Sequence, residues 1–153
     1  MNRTNRCFRK ARWPLGLLVA LWAFAAVASA PPGQYTIPGD GTVHDTKTGL
    51  VWQQAMALGS YTWNQAGSYC AGLSLAGTGW RLPSVKELMT LLDFTATSGV
   101  MIDIAAFPNT PAQVFWSSSP LPGYPSAAWS VAFSNGSADG SHVGSTYQVR
   151  CVR

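Results

Sequence analysis

The sequence predicts an α+β domain in which two early helices precede an antiparallel sheet. Three observations carry that expectation. Thr62 with Gln65, and Ser84 with Glu87, stand three residues apart ahead of apolar positions at steps of three and four, the pattern of capped amphipathic helices. The later part of the chain holds the short β-prone runs "VFWSSS", "AAWSVAF" and "TYQVRCVR". Turn-forming clusters, Asp45-Thr46-Lys47-Thr48-Gly49 and Ser134-Asn135-Gly136-Ser137, flank such runs.

Residues 1–30 read as a signal peptide. Arg3, Arg6, Arg9, Lys10 and Arg12 precede an apolar run from Leu15 to Val27, and Ala28-Ser29-Ala30 closes it with a small-x-small pattern. Thirteen residues span about 20 Å as helix, against a hydrocarbon core of roughly 30 Å. An uncleaved anchor is the competing reading; after cleavage no membrane span is expected. Cys7 lies upstream of the apolar run, so no cysteine follows the run as a lipid-attachment site.

Without the leader, five basic residues (Lys47, Arg81, Lys86, Arg150, Arg153) face six acids, a net charge of −1. The basic character of the whole chain therefore belongs to the leader, and no clustered basic face points to a nucleic-acid partner. The remainder, with Trp52, Trp63, Trp80, Trp116 and Trp129 among only eleven charged residues, is the composition of a compact, loop-rich exported domain. Residues 31–40 form a short leader to a domain over 41–153. Cys70 and Cys151 are the two cysteines left, and in an oxidising compartment the expectation is that they pair. A reactive or metal-binding thiol is the alternative, for which no C-x-x-C pair exists and only His44 and His142 are at hand.

The elements follow in order. "TVH" and "LVWQ" around the Asp45–Gly49 turn predict a hairpin. Trp63, Ala66, Cys70 and Leu73 predict a helix that ends by Gly77 or Gly79, where positive φ carries no Cβ clash. Pro83 disfavours helix for Leu82, so "WRLP" is an extended connector in which Trp80 and Leu82 point inward and Arg81 outward. Val85, Leu88, Leu91 and Leu92 give the next helix its apolar face. Trp129, Val131 and Phe133 share one face of a strand, and the final run alternates Tyr147, Val149 and Cys151 against Gln148, Arg150 and Val152.

"GTVHDTKTGLVWQ", "SYCAGL", "GWRLPSVKEL", "IDIAAFPNT", "FWSSS", "AWSVAF" and "VRCVR" occur in that order. The chain resembles the family called DUF1566, or the Lcl C-terminal domain, from about Gly41 to Arg153. The resemblance implies a bacterial exported domain, and the "WRLP" connector before a capped helix is similar to that of C-type-lectin-like and formylglycine-generating-enzyme-like folds. In the collagen-like adhesin that names the family, the domain is associated with sulfated-glycan binding and trimer formation. This chain carries no collagen-like Gly-x-y segment.

Chemistry is sparse. The nearest thing to a nucleophile elbow, Gly72-Leu73-Ser74-Leu75-Ala76, falls at the end of a predicted helix instead of a strand-to-helix turn, so no catalytic residue, cofactor or enzymatic activity is expected. The tripeptides of calcium-dependent lectins are missing, and Asp40 and Asp45 read as turn residues, not metal ligands. Asn135-Gly136-Ser137 matches a glycosylation acceptor, but hairpin chemistry explains it. Trp52, Trp80, Trp116 and Trp129 read as core. Arg81 reads as structural, binding turn carbonyls or a carboxylate such as Asp103. Sulfate recognition would fall to Arg150 and Arg153, whose double replacement is expected to remove binding without shifting the melting temperature. Two functions stay open: a recognition module for a glycan or surface protein, and a structural domain contacting other envelope proteins; the oligomeric state is left open by the sequence.

Overall fold

The structure, a computed structural model, describes residues 29–96 and 99–153. Most of the signal-peptide reading, residues 1–28, lies outside the described residues. Two three-stranded antiparallel sheets and two helices make the domain α+β. The first sheet contains β1 (Tyr35–Thr36), β2 (Thr42–Asp45) and β3 (Val51–Gln53) in that order. Its hairpin forms where expected. Asp45 Oδ1 accepts the Lys47 N–H at 2.9 Å and Oδ2 the Thr48 hydroxyl at 2.8 Å, while Gly49 supplies the positive φ of 73° that closes the turn. β1 lies inside the segment read as a leader, and Tyr35 packs edge-on against Phe107, so the sheet begins N-terminal to residue 41.

The first helix, α1 (Trp63–Gly72), follows Thr62, whose N–H donates to Gln65 Oε1 at 3.0 Å. It stops short of Gly77, because Leu73 turns extended and its N–H bonds the Cys70 carbonyl. The second, α2 (Val85–Met89), has both halves of the Ser84/Glu87 capping box, at 2.8 and 3.3 Å. Leu91 and Leu92 fall in the turn beyond it, yet Leu91 is still buried. The second sheet contains β4 (Val114–Pro120), β5 (Ala127–Ala132) and β6 (Ala138–His142) in that order. Its register shifts between Trp116 and Pro120, where Ser117 Oγ bonds the Trp129 carbonyl at 2.7 Å. The ladder resumes at Pro120, which pairs with Ala128, so the irregularity is confined to Ser117–Ser119.

The last seven residues bind these parts together, though not as the regular strand their alternation suggests. Tyr147 and Tyr61 exchange two backbone hydrogen bonds, as do Val51 and Arg153, and Arg81 and Val152, while Gln148 bonds Val114 and Trp116. The terminal segment is therefore a seam with neighbours on both edges. It is also covered on both faces. Val149 and Cys151 lie in one core cluster with Ala66, Cys70, Trp80, Leu82 and Trp116, and Val152 lies in another with Trp52, Leu88, Phe107, Phe115 and Phe133. Adjacent Phe115 and Trp116 divide between the same two clusters, so β4 too is packed from above and below.

The connector behaves as its alternation predicts: Trp80 and Leu82 are buried and Arg81 is exposed. Its partner is Glu87, not Asp103. Nη1 and Nη2 of Arg81 reach the two Glu87 oxygens at 2.8 and 2.6 Å, and Asp103 instead accepts the Ala105 and Ala106 N–H groups. The α2 capping box already aims Glu87 back over the connector, so the fork closes within six residues. Hydrogen bonding from Arg81, against the opposing effect of burial, holds the Glu87 carboxyl down at about 2 from an ordinary 4.5. A depressed folded-state value means that the pair stabilises the fold above about pH 4.5 and that this contribution disappears as pH falls towards 2. Since Arg81 is half exposed, the expected cost of Arg81→Ala is about 1 kcal/mol at pH 7. Thermal melts of both proteins should differ by a few degrees at pH 7 and converge near pH 2; an undiminished gap at low pH would rule the ion pair out as its source.

Candidate functional site

The structure does not bring the predicted basic residues together. Arg150 is fully buried, and this corrects its assignment as a ligand-binding residue. Its Nη1 donates to the Gln53 carbonyl at 2.7 Å and also to the Gln54 carbonyl, its Nη2 donates to Thr110 Oγ1 at 2.7 Å, and the guanidinium lies over the Phe107 ring at 4.7 Å. Burial pushes its pKa down to about 9, so the group is still charged at neutral pH. The cause of the misreading is geometric: alternation puts Arg150 opposite Cys151, and in a seam packed on both faces the opposite side is also interior.

Arg153 stays at the surface, held on the turn after α1. Nη2 donates to the Ala76 carbonyl at 2.9 Å, Nη1 approaches the Thr78 carbonyl at 3.5 Å, and the guanidinium covers the Trp80 ring at 5.0 Å. Gly77 supplies the positive φ of 122° that this turn requires, and a Cβ there would stand 2.6 Å from Arg153 Nη1 and push the end of that side chain aside. Cys70 and Cys151 are joined, 81 residues apart, and the bridge fastens α1 to the seam. Ser74 lies in the turn beyond α1, Asp40 accepts the Thr42 N–H and hydroxyl, and Asp45 serves its own turn. Trp52, Trp80 and Trp116 are core, whereas Trp129 is half-buried. Its cross-strand partner is Gly140, which brings no side chain to cover the indole.

A broad, open recess lies on the outer face of α1. Ser60, Tyr61, Asn64, Gln65, Ser68 and Tyr69 line an open groove of about 620 Å³. Its aromatic wall is fixed: the Tyr61 and Tyr69 rings lie 5.2 Å apart, Tyr61 OH donates to the Leu58 carbonyl at 2.8 Å, and Gln53 Nε2 donates to Tyr69 OH at 3.0 Å. At one end Ser60 Oγ accepts from Gln148 Nε2, which also bonds Gln113 Oε1. At the other, Asn64 and Ser68 are shared with a smaller recess of about 420 Å³ that reaches Trp63, Leu82 and Ser118.

None of these side chains carries a charge at neutral pH, and together they offer amides, hydroxyls and two phenol rings. Such a surface suits a neutral, hydroxyl-rich ligand that stacks on an aromatic face. The apolar periodicity of α1 marks its buried side and leaves this one unmarked. The available signal was a repeat of Ser-Tyr at 60–61 and 68–69, with Asn64, Gln65 and Ser68 opposite the stripe of Ala66 and Cys70.

No curated protein matches the chain. Residues 41–153, which run from just before β2 to the end of the seam and include the groove, match the Lcl C-terminal domain. The capped helices, the buried "WRLP" flanks and the disulfide-tied seam are thus this chain's form of a shared domain, and the protein belongs to the Lcl C-terminal domain family.

Proposed function

We propose that the protein is an exported, non-catalytic recognition domain that binds neutral glycan segments in the groove on α1, within a C-type-lectin-like or formylglycine-generating-enzyme-like architecture. The observation that carries this reading is the chemistry of the groove: rigid tyrosines beside amides and hydroxyls, with no charged side chain in the lining. A sulfated ligand fits less well. Arg150 is interior, Arg81 is committed to Glu87, and Arg153 is occupied by carbonyls and Trp80. Export is supported by the order of basic, apolar and small residues in the leader and by the disulfide. No helix among the described residues is long and apolar enough to cross a membrane.

A glycan array probed with the domain tests the reading. Neutral saccharides should be retained, and retention should change little between about 50 and 300 mM salt, although screening lengths shrink from roughly 14 to 6 Å. Asn64→Ala with Ser68→Ala, both at exposed positions, should weaken binding about tenfold, the loss of one or two hydrogen bonds, and leave the melting temperature unchanged. Arg153→Ala should bind normally. Salt-sensitive retention of sulfated chains alone would overturn the neutral-ligand reading, and retention of no glycan would favour the envelope-assembly alternative.

A further inference from the structure

Away from the groove, a cleft of about 240 Å³ between the start of the described chain and the segment after α2 is lined by Asp93 and Asp103, and by no Lys, Arg or His. Each carboxylate uses one oxygen locally. Asp93 Oδ1 accepts the Thr95 N–H and hydroxyl at 2.8 and 2.6 Å, and Asp103 Oδ1 accepts the Ala105 and Ala106 N–H groups at 2.9 and 2.8 Å. Each then turns its other oxygen towards the same short stretch of chain. Asp93 Oδ2 receives the Ser29 N–H at 2.6 Å and Asp103 Oδ2 the Ala30 N–H at 2.7 Å.

At the end of the apolar run the sequence offers two small-x-small sites, Ala28-Ser29-Ala30 and Ala26-Val27-Ala28, while a third, Ala23-Phe24-Ala25, lies inside the run. Cutting after the first would break a tertiary amide to Pro31 and discard both N–H groups that the carboxylates hold. Cutting after the second leaves Ser29 as the first residue, its nitrogen against Asp93. We propose that the exported chain is cut between Ala28 and Ser29, and that the released Ser29 α-ammonium seats on Asp93 while Asp103 holds the Ala30 N–H.

The cut rests on the export reading of the leader. A signal peptidase adds water across the peptide bond: hydroxide goes to the Ala28 carbonyl carbon, a proton goes to the Ser29 nitrogen, and that amine takes a second proton from solvent. A neutral amide donor becomes a cation in a cleft that has two carboxylates and no other positive group. Tyr35, also in the lining, does not compete, because burial, and then Asp45 and Asp103, push its phenol upward and keep it neutral. Processing and docking are thereby linked: hydrolysis creates the charge for which the cleft is built, and β1 follows directly with Tyr35.

Two measurements separate the parts of this inference. Intact mass and N-terminal sequencing of protein recovered from the envelope or medium should give Ser29 as the first residue. A chain starting at Pro31 overturns the cut while leaving export intact, and a mass that retains residues 1–28 overturns export and the cut together. Seating is tested without export, on purified protein that begins at Ser29. Acylation of its α-amine by acetic anhydride near neutral pH, read by peptide mapping, should be about tenfold slower than in an Asp93→Asn, Asp103→Asn variant, the effect of raising an amine pKa by one unit beside carboxylates. Asparagine keeps the Oδ1 acceptor for the local turns. The Ser29 form should also melt above a form beginning at Pro31, and the double variant should lose that margin. Equal acylation rates in the two Ser29 proteins would overturn the seating.

Discussion

Replacing Arg150 by alanine is expected to lower stability by about 3 kcal/mol or more, which for a domain of this size lowers the melting temperature by roughly 10 °C or more. Truncating a large, fully buried side chain leaves a cavity that costs about 2 to 4 kcal/mol. The Gln53 and Gln54 carbonyls and Thr110 Oγ1 would each lose a charged donor inside the protein, at about 1 to 3 kcal/mol apiece where no other donor replaces it. Relief from burying a cation offsets several kcal/mol of this. The balance stays unfavourable, since two of the three acceptors are main-chain atoms of β3 and its exit and cannot be deleted along with the charge.

Arg150→Met discriminates between cavity and hydrogen bonds. Methionine fills much of the space and removes the charge but leaves the carbonyls unpaired, so it should recover only part of the loss. Arg150→Lys keeps the charge without the planar fork that reaches three acceptors and stacks on Phe107, and it should also fall short. Arg153→Ala removes bonds to two turn carbonyls and a contact with Trp80 at the surface, for about 1 kcal/mol. Urea or thermal denaturation of the four variants measures these differences. A methionine variant as stable as the parent would show that the carbonyls find other donors and that Arg150 acts by volume alone. Because Arg150 variants destabilise the domain, loss of ligand binding in the Arg150, Arg153 pair would not locate a ligand site.

What was legible in the sequence was local. Thr62 with Gln65 and Ser84 with Glu87 mark helix starts because capping joins groups three residues apart, and the Asp45–Gly49 turn closes on its own side chains. The Cys70–Cys151 link was legible by counting, since only two cysteines follow the leader. Arg150 was not, for its acceptors lie 97 and 96 residues away and its burial depends on two clusters closing over both faces of the seam. Period-2 alternation separates two faces but does not say whether either meets water. The groove was half legible: its helix face could be drawn from spacing, but its Tyr69 wall is set by Gln53 and its Ser60 end by Gln148, contacts that only the folded chain makes.

The disulfide should matter as much as Arg150, and through the same seam. Within α1 only Ala66 and Cys70 are fully buried, so a helix of ten residues is anchored by a narrow stripe and by one covalent tie to Cys151. Closing a loop of about 80 residues is worth roughly 4 kcal/mol in the chain-entropy account, and loss of a native bridge from a small domain typically costs about 2 to 5 kcal/mol. Cys70→Ala with Cys151→Ala is therefore expected to lower the melting temperature by about 10 to 20 °C. The loss should be felt first on the outer face of α1, because Tyr61 and Tyr69 keep their spacing only while the helix is held against the seam. Glycan affinity should then fall at temperatures where the sheets are still intact by circular dichroism. In the non-reduced domain without its leader, both cysteines should be silent to thiol reagents until the protein unfolds, as both are inaccessible and bonded. Two thiols titrating in the folded, non-reduced domain would remove the tether from this account, and α1 would then have to be held by the packing of Ala66, Trp63 and Leu73 and by the hydrogen bonds that tie Trp63 to Ser117 and Tyr69 to Gln53.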